Sequence, residues 1–102
     1  MITVKVSYTV KPNFVENNKV NINLFLEDFK KMNASHFRYS VYLKEDGVTF
    51  VHLSSYINED IQKEVLSVAS FKSFQQKRDE SGLNNTHKVE VLHYVGSSFP
   101  VL

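Results

Sequence analysis

The 102-residue chain contains no cysteine and no tryptophan, and only three glycines and two prolines. The absence of cysteine excludes disulfide bonds, thiolate nucleophiles and cysteine zinc sites. Its 12 basic and 11 acidic residues give a net charge of +1, without the basic excess typical of nucleic-acid-binding domains. No apolar run approaches the roughly 18 to 20 residues of a membrane span, and the N-terminus lacks the apolar core of a signal peptide. We therefore expect one cytoplasmic domain over residues 1–102, with neither nucleic acid nor membrane as a partner.

The spacing of apolar residues predicts six secondary-structure elements in the order strand, helix, strand, strand, helix, strand. The predicted elements cover residues 2–10 (strand), 15–32 (helix), 37–54 (two strands), 60–78 (helix) and 87–95 (strand). Serines at Ser67 and Ser70 are a candidate break in the second helix. The order predicts an α+β, ferredoxin-like βαββαβ fold, in which an antiparallel four-stranded sheet carries both helices on one face.

The segment Phe37–Ser54 is predicted to form a β-hairpin around Glu45-Asp46-Gly47. A three-residue loop with Gly47 in the left-handed conformation would pair Lys44 with Val48. That register divides the hairpin into a face directed at the helices and an outer face. The helix-directed face contains Tyr39, Val41, Leu43, Val51 and Leu53, and the outer face contains Arg38, Ser40, Tyr42, Phe50 and His52. A two-residue turn would shift the register by one residue and mix these two sets.

The predicted outer face is about half apolar and spans the whole sheet. A monomer would expose this patch to water, whereas two sheets packed face to face would cover it. We therefore expect a homodimer whose interface contains Arg38, Ser40, Tyr42, Phe50 and His52. Ser40 and His52 are neighbours in this register, but no oxyanion-hole glycine or nucleophile elbow accompanies them. A polar network that fixes the dimer is thus preferred to a hydrolase site.

The polar-tipped residues of the helix-directed strand faces are the candidate catalytic set: Tyr8, Tyr39 and His93. They are predicted to lie opposite four ligand-binding aromatic residues, Phe25, Phe29, Phe71 and Phe74, in a pocket suited to a planar, largely apolar ligand. His93 would act as a general base, because the ordinary pKa of histidine lies near neutrality. The alternative is a set of core residues whose polar tips are satisfied locally. No metal is expected, since His87 and His93 are about 20 Å apart along a strand.

An RNA-recognition domain has the same element order and is a further alternative. Gly47, Phe50 and Val51 fit the motif of its third strand. Asp46, however, replaces the basic residue of that motif, and Val48 replaces its first aromatic residue. With a net charge near zero, RNA binding is not the preferred interpretation.

Three segments of the chain resemble antibiotic-biosynthesis-monooxygenase-type domains of the dimeric α+β barrel superfamily. They are Val4–Pro12 (VKVSYTVKP), Gly47–Leu53 (GVTFVHL) and Phe71–Phe74 (FKSF). The resemblance implies an intimate homodimer whose two sheets form a barrel, with a ligand cavity between the helices and sheet of each protomer. Members of the family include cofactor-free oxygenases of polycyclic phenols and quinones, and haem-degrading relatives.

The resemblance narrows the expected activity. Haem degraders resemble one another in an Asn, Trp and His set, but this chain has no tryptophan and no histidine between residues 60 and 78. The phenol oxygenases tend to use Trp and Arg beside tyrosines, and only the tyrosines match here, at Tyr8 and Tyr39. We therefore expect a cofactor-independent monooxygenase of a phenolic or quinone-like molecule, with Tyr8 and Tyr39 orienting the substrate and His93 assisting its deprotonation. The alternative is a non-catalytic small-molecule-binding or dimerisation module of the same fold.

Overall fold

The computed structural model describes all 102 residues and contains four strands and three α-helices. In chain order the elements are β1 (Ile2–Thr9), α1 (Val15–Lys30), β2 (Phe37–Leu43), β3 (Thr49–Tyr56), α2 (Glu59–Leu66), α3 (Ala69–Glu80) and β4 (Lys88–Leu92). The strands form one antiparallel sheet in the order β2-β3-β1-β4. The helices cover one face of this sheet. The predicted ferredoxin-like α+β fold is therefore confirmed.

The second predicted helix is divided into α2 and α3 between the two serines noted in the sequence. Asn58 starts α2, because its side-chain oxygen accepts a hydrogen bond from the backbone N–H of Ile61 at 2.9 Å. The helix ends where the Ser67 hydroxyl donates to the carbonyl oxygen of Glu64 at 2.8 Å. Val68 then adopts an extended backbone conformation, so α3 begins in a new direction.

The hairpin register differs by one residue from the sequence prediction. Val41 lies opposite His52, and the backbone N–H of Lys44 donates to the carbonyl of Thr49 at 2.8 Å. The connection therefore contains residues 45–48 rather than three residues. The side chain of Asp46 explains the extra residue, because its Oδ1 accepts the backbone N–H groups of Val48 and Thr49, both at 2.9 Å.

This register corrects the assignment of Phe50 and His52 to the dimer interface. Both side chains face the helices and are buried, with exposed fractions of 2% and 3%. The prediction was wrong because a shift of one residue exchanges the two faces of a strand. Ser40 now lies opposite Leu53, so the predicted Ser40–His52 pair does not form. The outer face contains Arg38, Ser40, Tyr42, Val51, Leu53 and Ser55.

The core between helices and sheet is mainly aromatic. Phe25 of α1 is completely buried, and its ring centroid lies 4.9 Å from that of Phe74 and 5.0 Å from that of Phe71, both on α3. Tyr39 of β2 packs against the same ring at 5.4 Å. Tilted and edge-to-face pairs at these distances are favourable aromatic geometries. None of the helices combines the length and the apolar character that a bilayer crossing demands.

Candidate functional site

A chain of four hydrogen-bonded side chains crosses this aromatic core and joins four elements. Asn18 of α1 donates from Nδ2 to the Tyr8 hydroxyl of β1 at 2.9 Å. The Tyr8 oxygen lies 2.8 Å from Nε2 of His52 on β3, and Nδ1 of His52 lies 2.8 Å from the hydroxyl oxygen of Tyr39 on β2. Buried polar groups of this kind are stable only when they find partners. We refer to these four residues as the hydrogen-bond chain.

The donors in the hydrogen-bond chain follow one direction. The Tyr8 hydroxyl accepts from Asn18 and is almost fully buried, and Nε2 of His52 is the only other polar atom bonded to it. A buried hydroxyl proton needs an acceptor, so Tyr8 donates to Nε2 of His52. A neutral imidazole has one N–H group, so Nδ1 carries the proton and donates to the Tyr39 oxygen. The Tyr39 hydroxyl proton is then left without an acceptor in the hydrogen-bond chain. At the other end, the carbonyl oxygen of Asn18 is fully buried and has no partner.

All titratable members of the hydrogen-bond chain are neutral near pH 7. Burial, assisted by the positive charges of Arg78 and His87, lowers the pKa of His52 to about 3. Burial also raises the pKa of Tyr8 and that of Tyr39 well above the ordinary tyrosine value. The hydrogen-bond chain therefore positions groups and does not carry charge.

The permanent charge beside the hydrogen-bond chain belongs to Arg78 of α3. Its exposed fraction is only 7%, and its guanidinium carbon lies 5.4 Å from the ring centroids of both Tyr8 and Phe74. Cation–π contacts of this kind stabilise a partly buried guanidinium. Its Nε–H donates to the carboxylate of Asp79 at 2.9 Å, whereas its two terminal amino groups make no hydrogen bond within the protein.

A cleft of about 360 Å³ opens where the hydrogen-bond chain and Arg78 meet. It lies between α2 and α3 on one side and the helix-directed face of the sheet, from β2 to β4, on the other. Its apolar wall contains Val4, Val6, Leu66, Phe71, Val89 and Val91, and its polar groups belong to Tyr39, His52, Ser54, Tyr56, Gln62, Gln75, Arg78 and His87. The mouth lies at β4, where Val89 and Val91 are 57% and 67% exposed. An apolar cleft with a few converging polar groups is typical of small-molecule sites.

The structure brings only part of the predicted catalytic set to this cleft. Tyr39 lines it, while Tyr8 is 1% exposed and lies behind His52, so Tyr8 reaches the cleft only through the hydrogen-bond chain. His93 is misplaced in the prediction. Strand β4 ends at Leu92, which pairs with Thr3 near the start of β1, so His93 leaves the sheet and lines a groove on the outer face. His52, rather than His93, is the histidine that lines the cleft on the helix-directed face.

The four predicted ligand-binding phenylalanines also lie in two different environments. Phe71 lines the cleft, while Phe25, Phe29 and Phe74 are buried in the aromatic core behind it. Their close mutual packing explains the difference, because a ring enclosed by other rings has no surface left for a ligand. The prediction had placed all four against a ligand.

Asn18 and Arg78 are the functional candidates that the sequence analysis missed. Both carry a detectable signal: Asn18 stands four residues before Ile22 on the buried stripe of α1, and Arg78 stands four residues after Phe74 on the buried stripe of α3. An amide or a cation at an apolar position must find a buried partner. Such positions therefore indicate a polar network inside the core.

A second groove, which we call the outer groove, lies on the opposite face of the sheet. It has a volume of about 480 Å³ and is formed by the outer face and the C-terminal segment. Its lining includes Thr3, Arg38, Ser40, Tyr42, Leu53, Ser55 and residues of the segment from Leu92 to Val101. Tyr42 is 58% exposed and Leu53 39%. The sheet therefore presents a partly apolar surface on the side away from the helices.

No protein-family model and no curated protein matches the chain. Solved structures do match it. The crystal structure of an antibiotic biosynthesis monooxygenase has a TM-score of 0.79 at 11% identity, covering 94% of this chain and 100% of that one. Rv0793 from Mycobacterium tuberculosis has a TM-score of 0.78 at 15% identity, covering 96% and 98%. A conserved protein from Methanosarcina mazei Go1 has a TM-score of 0.75 at 18% identity, covering 89% of each chain.

The chain therefore has the ferredoxin-like α+β fold of antibiotic-biosynthesis-monooxygenase-type proteins. The resemblance found in the sequence is confirmed at the level of the fold. Sequence identities of 11–18% carry no further statement about activity.

Proposed function

We propose that this protein is a cofactor-independent monooxygenase of a phenolic or quinone-like small molecule bound in the cleft. The observation that carries the proposal is the Tyr39 hydroxyl, which is held by His52 at 2.8 Å and lines an otherwise largely apolar cleft. A fixed hydroxyl in such surroundings can orient the oxygen of an aromatic substrate. His52 fixes Tyr39, and Tyr8 and Asn18 fix His52, so these three residues act as positioning residues.

The reaction is the oxidation of a phenol to a quinone by dioxygen. The ionised substrate is rich in electrons and reacts with dioxygen directly. One oxygen atom enters the ring as the second carbonyl, and the other leaves as water with the two hydrogens that the substrate loses. The protein supplies a dry cleft and a fixed orientation for this step.

Oxygen consumption with a panel of hydroquinones and naphthols tests the proposal. We expect uptake above the buffer rate with at least one of them, and a loss of about tenfold or more in kcat/KM for Tyr39→Phe, because orientation depends on that hydroxyl. Tyr94→Phe is the matched control, since Tyr94 is exposed and lies outside the cleft. Absence of uptake with every substrate, or equal rates for Tyr39→Phe and wild type, would contradict the proposal.

A non-catalytic binding module is the second candidate, and one observation favours it. His52 is the only histidine buried at the cleft, and it is neutral with both ring nitrogens already occupied. A site with no buried base is also suited to binding alone. A thermal shift with hydroquinones, without oxygen uptake, would support this candidate in place of the monooxygenase.

We also propose that two copies of the chain associate through their outer faces. The exposed Tyr42 and Leu53 support this, since face-to-face packing of sheets would remove them from water. Light scattering at micromolar concentration should give twice the single-chain mass of 11.8 kDa. Leu53→Glu should give the single mass, while Lys63→Glu on the exposed surface of α2 should not. A wild-type monomer would contradict this proposal.

A further inference from the structure

The proposed reaction needs a base, because its substrate reacts with dioxygen once the phenolic proton has left. Most groups that line the cleft cannot accept this proton near neutral pH. Neither Asp nor Glu is among them, and Ser54, Gln62 and Gln75 are not basic. Arg78 keeps its own proton at every ordinary pH. The base must therefore be one of the remaining titratable groups of the cleft.

Three of these titratable groups are buried and are poor bases. Burial raises the pKa of Tyr39 and that of Tyr56, so both hydroxyls keep their protons at neutral pH. His52 has both ring nitrogens in hydrogen bonds, to Tyr8 and to Tyr39, and burial lowers its pKa to about 3. An imidazole so weakly basic does not hold a substrate proton at neutral pH. His87 is the titratable group that remains.

His87 lies at the mouth of the cleft, on the helix-directed side of the sheet. It directly precedes β4, and the alternation of side chains directs His87, Val89 and Val91 to the cleft. The hydrogen bonds made by histidine rings in this protein belong to His36 and His52. Both ring nitrogens of His87 are therefore free, and its side chain is exposed to water. Histidine is the usual side chain for proton transfer near neutral pH.

The backbone on both sides of His87 is fixed to β1. The residue before it, Thr86, accepts the backbone N–H of Thr9 through Oγ1 at 2.9 Å, and the residue after it begins β4, which pairs with β1. Burial is the main cause of the low pKa of His52, and the positive charges of Arg78 and His87 add to it. A charge must be near a group to act in this way. His87 is therefore held close to the hydrogen-bond chain.

We propose that His87 is the catalytic base of the cleft and takes the phenolic proton of the bound substrate. Tyr39 orients the substrate oxygen, and the substrate O–H bond breaks as its proton moves to the unprotonated nitrogen of the neutral imidazole. The electron pair of that bond stays on the substrate oxygen, and the imidazolium passes the proton to water at the mouth. This inference rests on the proposed function, because it names the base that prepares the same substrate for dioxygen. His87 thus takes the role that was expected for His93.

Two naphthols of different acidity test this assignment by oxygen uptake. At neutral pH 1-naphthol is mainly neutral, whereas 2-nitro-1-naphthol is mainly ionised and needs no base. His87→Gln should lower kcat/KM for 1-naphthol by about a hundredfold, because a positioned general base contributes at least that much. The same variant should lower kcat/KM for 2-nitro-1-naphthol by less than about threefold, since only the proton transfer is lost.

Added imidazole gives a second readout, because His87 is exposed at the mouth and a small base can reach its place. Imidazole should restore part of the activity of His87→Gln with 1-naphthol and should leave the activity with 2-nitro-1-naphthol unchanged. His36→Gln is the matched control, since it removes a histidine that lies outside the cleft and should leave both activities unchanged. Circular dichroism verifies that both variants are folded.

The outcomes distinguish this inference from the proposed function. An undiminished rate of folded His87→Gln with 1-naphthol, or an equal loss with both naphthols, contradicts the inference and leaves the proposed function standing. Failure of imidazole to restore any activity with 1-naphthol has the same meaning. If the wild-type protein oxidises neither naphthol, the inference is contradicted, whereas the proposed function fails only when the hydroquinones are inert as well.

Discussion

The two faces of the sheet contain similar kinds of residues, but these residues differ in burial and in hydrogen bonding. On the helix side, Tyr8, His52 and Tyr39 have every ring nitrogen and hydroxyl oxygen in a hydrogen bond. On the outer side, Tyr42 makes no hydrogen bond within the chain and is 58% exposed. A mixture of aromatic and polar residues therefore does not reveal which face is buried. What distinguishes the inner face is that its buried tyrosines and histidine are joined in one hydrogen-bond chain, whereas the tyrosine of the outer face has no partner in the protein.

The strongest test of this contrast truncates the aromatic side chain at the centre of the core. Phe25→Ala should lower the free energy of unfolding by about 3–5 kcal/mol, because it leaves a cavity among four aromatic rings. Leu24→Ala on the same helix is the control, since Leu24 is 57% exposed and should cost less than about 1 kcal/mol. Urea denaturation measures both. Equal effects would mean that α1 does not bury this face as described.

A smaller effect is expected when the hydrogen-bond chain is cut. Tyr8→Phe leaves both the Nδ2 group of Asn18 and Nε2 of His52 without a partner in the core. Buried groups that lose their partner cost more than the hydrogen bond itself, so we expect about 2–3 kcal/mol. Tyr42→Phe on the outer face removes a hydroxyl with no partner in the chain and should leave the free energy of protomer unfolding unchanged within about 0.5 kcal/mol. Urea denaturation measures both variants. A similar loss in the free energy of unfolding for Tyr8→Phe and Tyr42→Phe would contradict the described difference between the two faces.

The inner face should also respond to pH. The pKa of His52 is about 3 in the folded protein against an ordinary value of 6.5, so unfolding takes up a proton between these limits. Stability is complete above about pH 6.5 and decreases on acidification, by about 2 kcal/mol between pH 6.5 and about pH 5. The exposed carboxylates of Glu27 and Asp46 also have lowered pKa values. Carboxylates take up protons mainly below about pH 5, so their effect on stability lies mainly below the range from pH 6.5 to about pH 5.

Urea denaturation at several pH values measures this dependence. His52→Asn should remove most of it, whereas His36→Gln, at a partly exposed histidine outside the aromatic core, should leave it intact. A wild-type stability that is constant from pH 6.5 to pH 5 would contradict the assignment of a neutral, buried His52.

The smallest effect is expected at Asn18. Asn18→Leu conserves the approximate volume and removes both the hydrogen bond to Tyr8 and the carbonyl oxygen that has no partner. These two changes oppose each other, so the free energy of unfolding should change by less than about 1 kcal/mol. Asn18→Ala adds a cavity and should cost more. A loss of several kcal/mol in Asn18→Leu would show that the carbonyl has a partner after all.

Most of the fold could be predicted from sequence because its signals are local. Alternation along β1 and the apolar stripe of α1 each depend on neighbouring residues, as does the cap at Asn58. The hairpin register could not be predicted, because it depends on one side-chain contact: Asp46 accepts two backbone N–H groups and lengthens the turn. That single residue decided whether His52 lay inside or outside, and hence which histidine belonged to the site. The limits of β4 depended on where β1 begins, which is a contact between distant segments.

The break between α2 and α3 gives the cleft two helical walls that contribute differently to the stability of the domain. Gln62 and Leu66 on α2 line one wall of the cleft, yet Val65 is the only fully buried residue of that helix. The other wall belongs to α3, whose Phe71, Phe74 and Arg78 are part of the core. Gln62 can therefore be exchanged at little cost to folding, as is usual for positions outside a packed core, whereas Leu66 packs against the core. Substitutions at Gln62 can reshape the cleft through one short helix while the hydrogen-bond chain and Arg78 stay in place.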